Sequence, residues 1–320
     1  MNIFDQIIVG AGISGLTAAR QLAQNSQASI VLEKSRGVGG RVSTRRFDFR
    51  EGLADHGAIT VERSNAEVLT AWQDTLKALP FQSAPAHLNP SSETLAGGMN
   101  TLPKALSAGL NIRLSHTVTS IHYAEGLWHS EGQDGRYESA KNLILTCPLP
   151  QSASLFKQDP KLSTEILTMS DSVQYRPLWT LILLTSPLSK NPIHFRGYHE
   201  LENPVIHSLC EQSAKGLATS EGIYVLHTTE QFTRNHLEAD ATQIQALVGE
   251  ALKELGFDIS TATLIPHRWR YAFVDKPLGR KIWISKAWPG LVLAGDFCLG
   301  STIVNAAVSG LAAADALLLN

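Results

Sequence analysis

Apolar residues cluster in short β-branched runs near the two ends of the chain and adopt alternating or helical spacing between them. Ile3-Phe4-Asp5-Gln6-Ile7-Ile8-Val9 reads as a buried parallel strand, because a strand covered on both faces needs a near-continuous apolar run. A helix from Ser14 to about Asn25 follows, then a second strand from Ala28 to Leu32. Asn65 to Leu79 places Val68, Leu69, Trp72, Leu76 and Leu79 close to helical spacing. Pro80, Pro85 and Pro90 mark a loop, and Gly97-Gly98-Met99-Asn100 precedes a short helix from Leu102 to Ala108, with Pro103 tolerated in its first turn. From Ile112 the pattern turns to β. Ile112 to Leu114, Thr117 to Tyr123, Leu127 to His129, Arg136 to Glu138 and Leu143 to Thr146 are punctuated by Glu125-Gly126 and Gln133-Asp134-Gly135, which predicts a small antiparallel meander. Further strands fall at Leu178 to Leu184, Val205 to Leu209, Ile223 to Leu226 and Thr263 to Tyr271, around a helix from about Ala239 to Leu255. Leu291 to Ala294 is another buried strand ending in Gly295-Asp296, and Thr302 to Leu319 is an alanine-rich helix.

This order predicts an α/β protein in which a Rossmann-type nucleotide-binding domain is interleaved with an α+β substrate domain. The last strand and helix return to the first domain, which takes residues 1–60, 96–160 and 285–320. The second takes 61–95 and 161–284. A chain of 320 residues with 43% hydrophobic content is long enough to bury two cores.

The turn between the first strand and helix is Gly10-Ala11-Gly12-Ile13-Ser14-Gly15. Gly10 permits the tight bend, Gly12 leaves room for a pyrophosphate against the backbone, and Gly15 lets the helix pack closely on the strand. The helix N-terminus then points N–H groups and the positive end of its dipole at the phosphates. The second strand ends in Glu33, where an acid about 20 residues after the glycines binds ribose hydroxyls. Strand, glycines, helix, strand and acid in register point to a dinucleotide-type ligand.

The formal net charge of −2 and a pI near 6.6 leave no electrostatic footprint for nucleic acid or an anionic membrane. Cys147, Cys210 and Cys298 lie far apart with no CxxC pair, so no disulfide framework and no metal site is expected, and a reducing compartment is the simpler reading. No run reaches the ~18 apolar residues of a membrane span, and no leader pattern precedes Ile3. The expectation is a soluble, cytoplasmic protein.

After Glu33, Lys34-Ser35-Arg36-Gly37-Val38-Gly39-Gly40-Arg41 forms a basic, glycine-rich loop, and Asp55-His56-Gly57-Ala58 follows it. With the terminal strand, Gly295-Asp296 and helix, this spacing resembles the FAD-dependent amine oxidase superfamily, and within it the bacterial renalases. The likeness continues through Gly98-Met99, Pro148-Leu149-Pro150-Gln151, His227-Thr228, Gln231-Phe232-Thr233-Arg234 and His267-Arg268-Trp269. It implies non-covalent FAD held by Gly10, Ala11, Gly12, Ile13, Ser14, Gly15, Glu33, Lys34, Gly40, Arg41, Gly57, Ala58, Val118, Gly295, Asp296, Ile303 and Val304. In that assignment Arg41 neutralises the pyrophosphate, the Val118 backbone meets the adenine, and Gly57 and Ala58 let the isoalloxazine lie close. Asp296 accepts from a ribityl hydroxyl, and the helix beginning near Ile303 aims its dipole at the flavin N1 and O2 edge.

His267, Trp269 and Tyr271 alternate along a strand, so one face lines the substrate side of the flavin or packs against the domain. His56 reads as structural. Arg45 and Arg46 either attract an anionic substrate or form a solvated basic edge. Cys298 reads as a buried inert thiol rather than a flavin attachment point.

The resemblance implies oxidation of the 2-dihydro and 6-dihydro isomers of NAD(P)H to NAD(P)+. Its partners are then a small dinucleotide substrate and dioxygen, which is reduced to hydrogen peroxide. The donor ring becomes aromatic as hydride leaves, so no acid or base is required, which suits a sequence without nucleophile, triad or metal cluster. Two alternatives stand beside it: another oxidase or desaturase of the superfamily acting on an amine or polyene, and a non-catalytic, flavin-bound dinucleotide sensor. The sequence departs from bacterial renalases at Pro80 to Leu95, which is shorter, and at Ser301 to Asn305, where they carry an arginine.

Overall fold

The computed structural model describes residues 3–49, 51–85, 91–186, 195, 197–218 and 222–319. Ile3–Val9 lies at the centre of an eight-stranded sheet. It pairs in parallel with Ser29–Leu32 on one side and Tyr137–Leu145 on the other, with Leu291–Leu293 beyond the latter. Ile7 and Ile8 are both fully buried, and they enter different cores on the two faces of the sheet. That is why the run is apolar throughout rather than alternating. The Ile13–Gln24 helix and the terminal Ile303–Leu318 helix cover one face together, with Leu16, Ala19 and Leu22 in one cluster with Ala307, Leu311 and Ala314. A methyl group on Gly310 would collide with the carbonyl of Ser14, so the two helices meet at backbone contact.

The meander differs from the sequence pattern in two respects. Ile112–Arg113 is not part of it but extends the parallel sheet beside Ser29–Leu32. Arg136 to Glu138 and Leu143 to Thr146 are one strand, Tyr137–Leu145, whose outer part runs antiparallel to Leu127–Gly132 while its inner part runs parallel to Ile3–Val9. The polar residues that interrupt the pattern are satisfied from the neighbouring strand. Lys141 Nζ reaches the Asp5 carboxylate at 2.8 Å, and Asn142 Nδ2 donates to the Asp5 carbonyl at 3.1 Å.

Asn65 to Leu79 divides at Trp72 into Ala66–Ala71, capped by the Asn65 side chain, and Gln73–Lys77. The Pro80 to Leu95 loop contains two antiparallel strands, Phe81–Ser83 and Ser92–Leu95, joined by Val61–Glu62. They form because Phe81 and Leu95 reach the first core, where they find apolar partners; Pro90 lies outside the described residues.

A second, five-stranded antiparallel sheet runs Tyr198–Glu200, Ile206–Glu211, Ile223–Thr228, Gln174–Leu184, Thr263–Lys276. Trp179, Leu181, Leu183 and Leu226 pack beneath the Ala241–Glu254 helix on one face. On the other face Ile182, Leu184, Ile223 and Val225 meet Ala54 and Phe47, from the hairpin of Thr44–Arg46 and Leu53–Asp55. The two sheets are therefore joined by the chain that follows the Arg41 loop.

Several stretches assigned above to the second domain pack into the first cores. Val61, Val68, Trp72 and Leu95 join the cluster under the Ile13–Gln24 helix, and Leu162 and Ile166 join the cluster around Ile7 and Leu143. Trp283–Ile284 pairs with Leu291–Leu293. The reason is local: each segment has an apolar side whose nearest cover is the first sheet or its helices. Among the described residues no helix is long and apolar enough to cross a membrane.

Candidate functional site

Gly10 adopts φ +105°, and Thr146 Oγ1 holds the turn by donating to the carbonyls of Val9 and Gly10 at 2.9 and 3.2 Å. A side chain at Gly15 would collide with the Gly10 carbonyl. Around Gly12 there is space: nothing lies within 4 Å of where a side chain would start. The helix beginning at Ile13 has no side-chain cap and no acidic residue in its first turn. The buried Ser14 hydroxyl is without a partner among the described residues. An uncapped helix N-terminus with open space ahead of it and an orphaned hydroxyl suits a phosphate. These residues therefore fit the FAD that the sequence implies.

Glu33 is buried, and its two carboxylate oxygens accept from the backbone N–H groups of Ala11 and Ser35, both at 2.8 Å. The Gly39 N–H donates to the Ala11 carbonyl at 2.8 Å, which docks the 34–41 loop on the glycine turn; Lys34 is exposed at its start, and Gly40 lies against Gly12. The His116 N–H donates to the Glu33 carbonyl at 2.9 Å, so the buried Val118, two residues on, opens its strand next to Glu33.

The family resemblance implies separate FAD contacts for Arg41 and Asp296, and the structure joins the two side chains to each other. Arg41 Nη1 and Nη2 donate to the two Asp296 oxygens at 2.6 and 2.7 Å, and Nη1 also donates to the Tyr271 carbonyl at 2.8 Å. The guanidinium fork matches a carboxylate as well as it matches a phosphate, and Asp296 is the anion within its reach. Asp296 begins a helical turn after Gly295 (φ +155°), whose N–H donates to Ser309 Oγ in the terminal helix at 2.8 Å. Ile303 and Val304, at the start of that helix, pack into the first core.

A side chain at Gly57 would run into the Arg41 carbonyl, and the Ala58 N–H donates to that same oxygen at 2.8 Å. The Gly57-Ala58 backbone therefore lies flush against the Arg41 loop. Immediately before it, His56 stacks on Trp269 with ring centres 5.9 Å apart, meets His267 edge-on at 5.2 Å, and accepts at its carbonyl from Trp269 Nε1 at 3.1 Å. His267 and Trp269 are themselves 4.0 Å apart. His56, read from sequence as structural, thus belongs to one ring cluster with two of the three predicted substrate residues. Burial lowers the pKa of both imidazoles; the His56 and Arg45 charges lower that of His267 further, and Arg45 acts on His56 in the same direction. His267 is exposed to solvent.

Tyr271 lies elsewhere, edge-on to Tyr175 at 5.0 Å and beside Arg41. Burial raises the Tyr175 pKa, and its hydroxyl accepts from the Leu149 N–H at 3.1 Å. Arg268 and Arg270 of the same strand reach the link between the Glu230–Asn235 and Ala241–Glu254 helices: Arg268 Nη1 donates to the Leu237 carbonyl at 2.7 Å, and Arg270 forks onto Glu238 at 2.5 and 2.6 Å.

Sequence reasoning missed the pair beneath this cluster. Asp55 and Lys215 form an ion pair at 2.5 Å with neither side chain accessible to solvent. Asp55 also accepts from Thr44 Oγ1 at 2.5 Å and from the Met99 N–H at 2.9 Å. Lys215 ends a short 3-10 helix, and no local pattern distinguishes it from a surface lysine. All three cysteines are free. Burial pushes Cys298 up to about 12 and Cys210 up to about 11, and raises Cys147 as well, so none is an activated nucleophile.

Residues 78–318 match the family of flavin containing amine oxidoreductases, and residues 8–76 match an NAD(P)-binding Rossmann-like domain. Renalase of Mus musculus is 25% identical over 317 residues, spanning 91% of this chain and 92% of the mouse protein. Two solved structures have the same fold at low identity. The CLA-producing fatty acid isomerase from P. acnes superposes with a TM-score of 0.72 at 12% identity, over 99% of this chain and 98% of its own. Putrescine oxidase bound to putrescine superposes with a TM-score of 0.70 at 13% identity, over 100% of both chains.

Proposed function

Because the chain belongs to the flavin containing amine oxidoreductase family, and is an FAD-dependent oxidoreductase with non-covalently bound FAD, we propose that it is a renalase-like oxidase. Its substrates are the 2-dihydro and 6-dihydro isomers of NAD(P)H, its products NAD(P)+ and hydrogen peroxide. The observation that carries this reading is the cluster of His56, His267 and Trp269 beside Gly57-Ala58. It presents flat rings, both imidazoles are biased towards the uncharged form, and among the described residues no carboxylate pairs with it. Such a face orients a planar ring by stacking and excludes water from it, whereas a protonated amine would call for an anion or a more closed cage.

FAD, when bound, would supply the hydride-accepting centre and the reactivity towards dioxygen. The uncapped helix N-terminus with Gly12 and Ser14 would take the pyrophosphate, Glu33 the ribose, Val118 the adenine, Gly57-Ala58 the ring, and Asp296 the ribityl chain. Residues 1–60, 96–160 and 285–320 hold the cofactor, and the strand carrying His267 and Trp269 forms the opposing wall. No residue has to remove a proton before hydride leaves, because the donor becomes aromatic in the same step. Three free cysteines suit a reducing, cytoplasmic location.

Anaerobic stopped-flow at the flavin absorbance band tests the proposal. The dihydro isomers of NAD should bleach the flavin far faster than ordinary NADH or simple amines, since a misplacement of 1 Å costs about 100-fold. Peroxide should form on admission of air. Bleaching by an amine or polyene with no response to the isomers would overturn this function.

A further inference from the structure

Thr44–Arg46 pairs with Leu53–Asp55, with Thr44 opposite Asp55 and Arg45 opposite Ala54. Alternation along the strand turns Thr44 inward, where its hydroxyl meets Asp55 and accepts from the Asn100 N–H at 3.0 Å. Arg45 projects to the other side and is exposed. Ser43, two residues earlier and so on that same side, has its hydroxyl 3.3 Å from His56 Nε2, which puts the His56 and His267 rings, 5.2 Å apart, on the Arg45 side of the hairpin. The base of Arg45 is held in place, because Asp55 is locked to the buried Lys215 and Ala54 is buried against the second sheet.

Arginines elsewhere in the described residues mostly end on a carboxylate: Arg41 on Asp296, Arg113 on Glu138, Arg176 on Asp275, Arg270 on Glu238. Arg45 ends on none. The carboxylate next to it in the hairpin, Asp55, is neutralised by Lys215, and the two rings at its side are not anions. A guanidinium on a rigid hairpin, at the edge of an aromatic face and with no carboxylate partner among the described residues, is complementary to a ligand that combines a flat ring with an anionic group a short distance away. Its fork suits a phosphate through two parallel hydrogen bonds.

We infer that Arg45 binds a phosphate of the substrate while the His56, His267 and Trp269 face takes the substrate's ring. This deepens the proposed function and rests on it. It makes Arg45 a specificity residue for phosphate-bearing dihydronicotinamides, with no part in hydride transfer itself.

The test compares 6-dihydro NAD with 6-dihydronicotinamide riboside, which keeps the ring and lacks phosphate, in anaerobic bleaching of the wild-type holoenzyme, Arg45→Gln and Arg45→Lys. The wild type should half-saturate with the dinucleotide at about 10-fold lower concentration than with the riboside, as one charge-assisted contact at an exposed site gives. Arg45→Gln should erase that preference by weakening the dinucleotide alone, Arg45→Lys should keep part of it, and added salt should weaken only the proteins that retain the charge. The limiting bleaching rate should stay the same in all three, because a remote anchor contributes uniform binding. Equal weakening of both ligands in Arg45→Gln, or of neither, overturns the inference. So does a wild type that prefers neither ligand, and in that case the proposed function stands. A wild type that neither compound bleaches overturns both.

Discussion

Arg41 and Asp296 grip each other through two parallel hydrogen bonds, of 2.6 and 2.7 Å, from positions 255 apart in the chain. The contact ties the loop after the second strand to the turn after the last one. Because the family resemblance implies an FAD contact for each side chain and each also holds the other, their substitutions should not act independently. Arg41→Ala should weaken FAD retention by about 10- to 150-fold, the range for losing one charged hydrogen bond of about 1.5–3 kcal/mol. Asp296→Ala should act in the same direction, and the double variant should lose less than the product of the two. Fluorescence titration of the apoprotein with FAD measures all three. Wild-type affinity in Arg41→Ala would remove Arg41 from the site.

The Asp55 and Lys215 pair is sealed from solvent on both sides, so removing one partner strands the other. Lys215→Met should destabilise the holoprotein by about 3–5 kcal/mol, whereas Lys215→Met combined with Asp55→Asn should recover most of the loss. Denaturant unfolding followed by fluorescence gives the comparison. A loss within about 0.5 kcal/mol for the single variant, typical of a surface site, would contradict the burial seen here.

Acid should act through the histidines. Burial, with smaller contributions from His207 and Lys215, holds the His227 pKa down to about 4 from its ordinary 6.5. Its Nε2 is buried with no partner among the described residues. The unfolded chain takes up a proton near the ordinary value and the folded protein refuses it until near the lower one. Stability should therefore be flat in pH above that ordinary value and fall as pH drops from about 6.5 towards about 4, by up to about 1.4 kcal/mol per unit for one such group. His56 and His267 shift in the same direction and steepen the fall. Urea midpoints measured across this window should show a shallower slope in His227→Gln; an identical slope would mean that His227 titrates normally.

Much of this architecture is legible without coordinates, and the reasons are local. The first strand, helix and second strand follow from apolar periodicity and lie within about a residue of where that periodicity puts them. The glycine turn is legible because the backbone it needs, positive φ at Gly10 and no side chain at Gly15, is permitted only to glycine. Errors arose where a local pattern had two tertiary uses. Ile112–Arg113 reads as a meander strand but pairs in parallel with Ser29–Leu32, and the polar Lys141 and Asn142 hide the continuity of Tyr137–Leu145 because the residue that satisfies them, Asp5, lies on another strand.

The sequence by itself determined the first strand, the helix and second strand after it, the glycine turn and the burial of the first strand, because each depends on residues within a few positions or on one backbone conformation. Only the tertiary structure decided which side chains meet. Arg41 with Asp296, Lys215 with Asp55, and Trp269 with His56 are joined across 255, 160 and 213 positions. Each contact depends on how the two sheets are set against the hairpin between them, and periodicity along one chain segment carries no information about which distant segment will cover it.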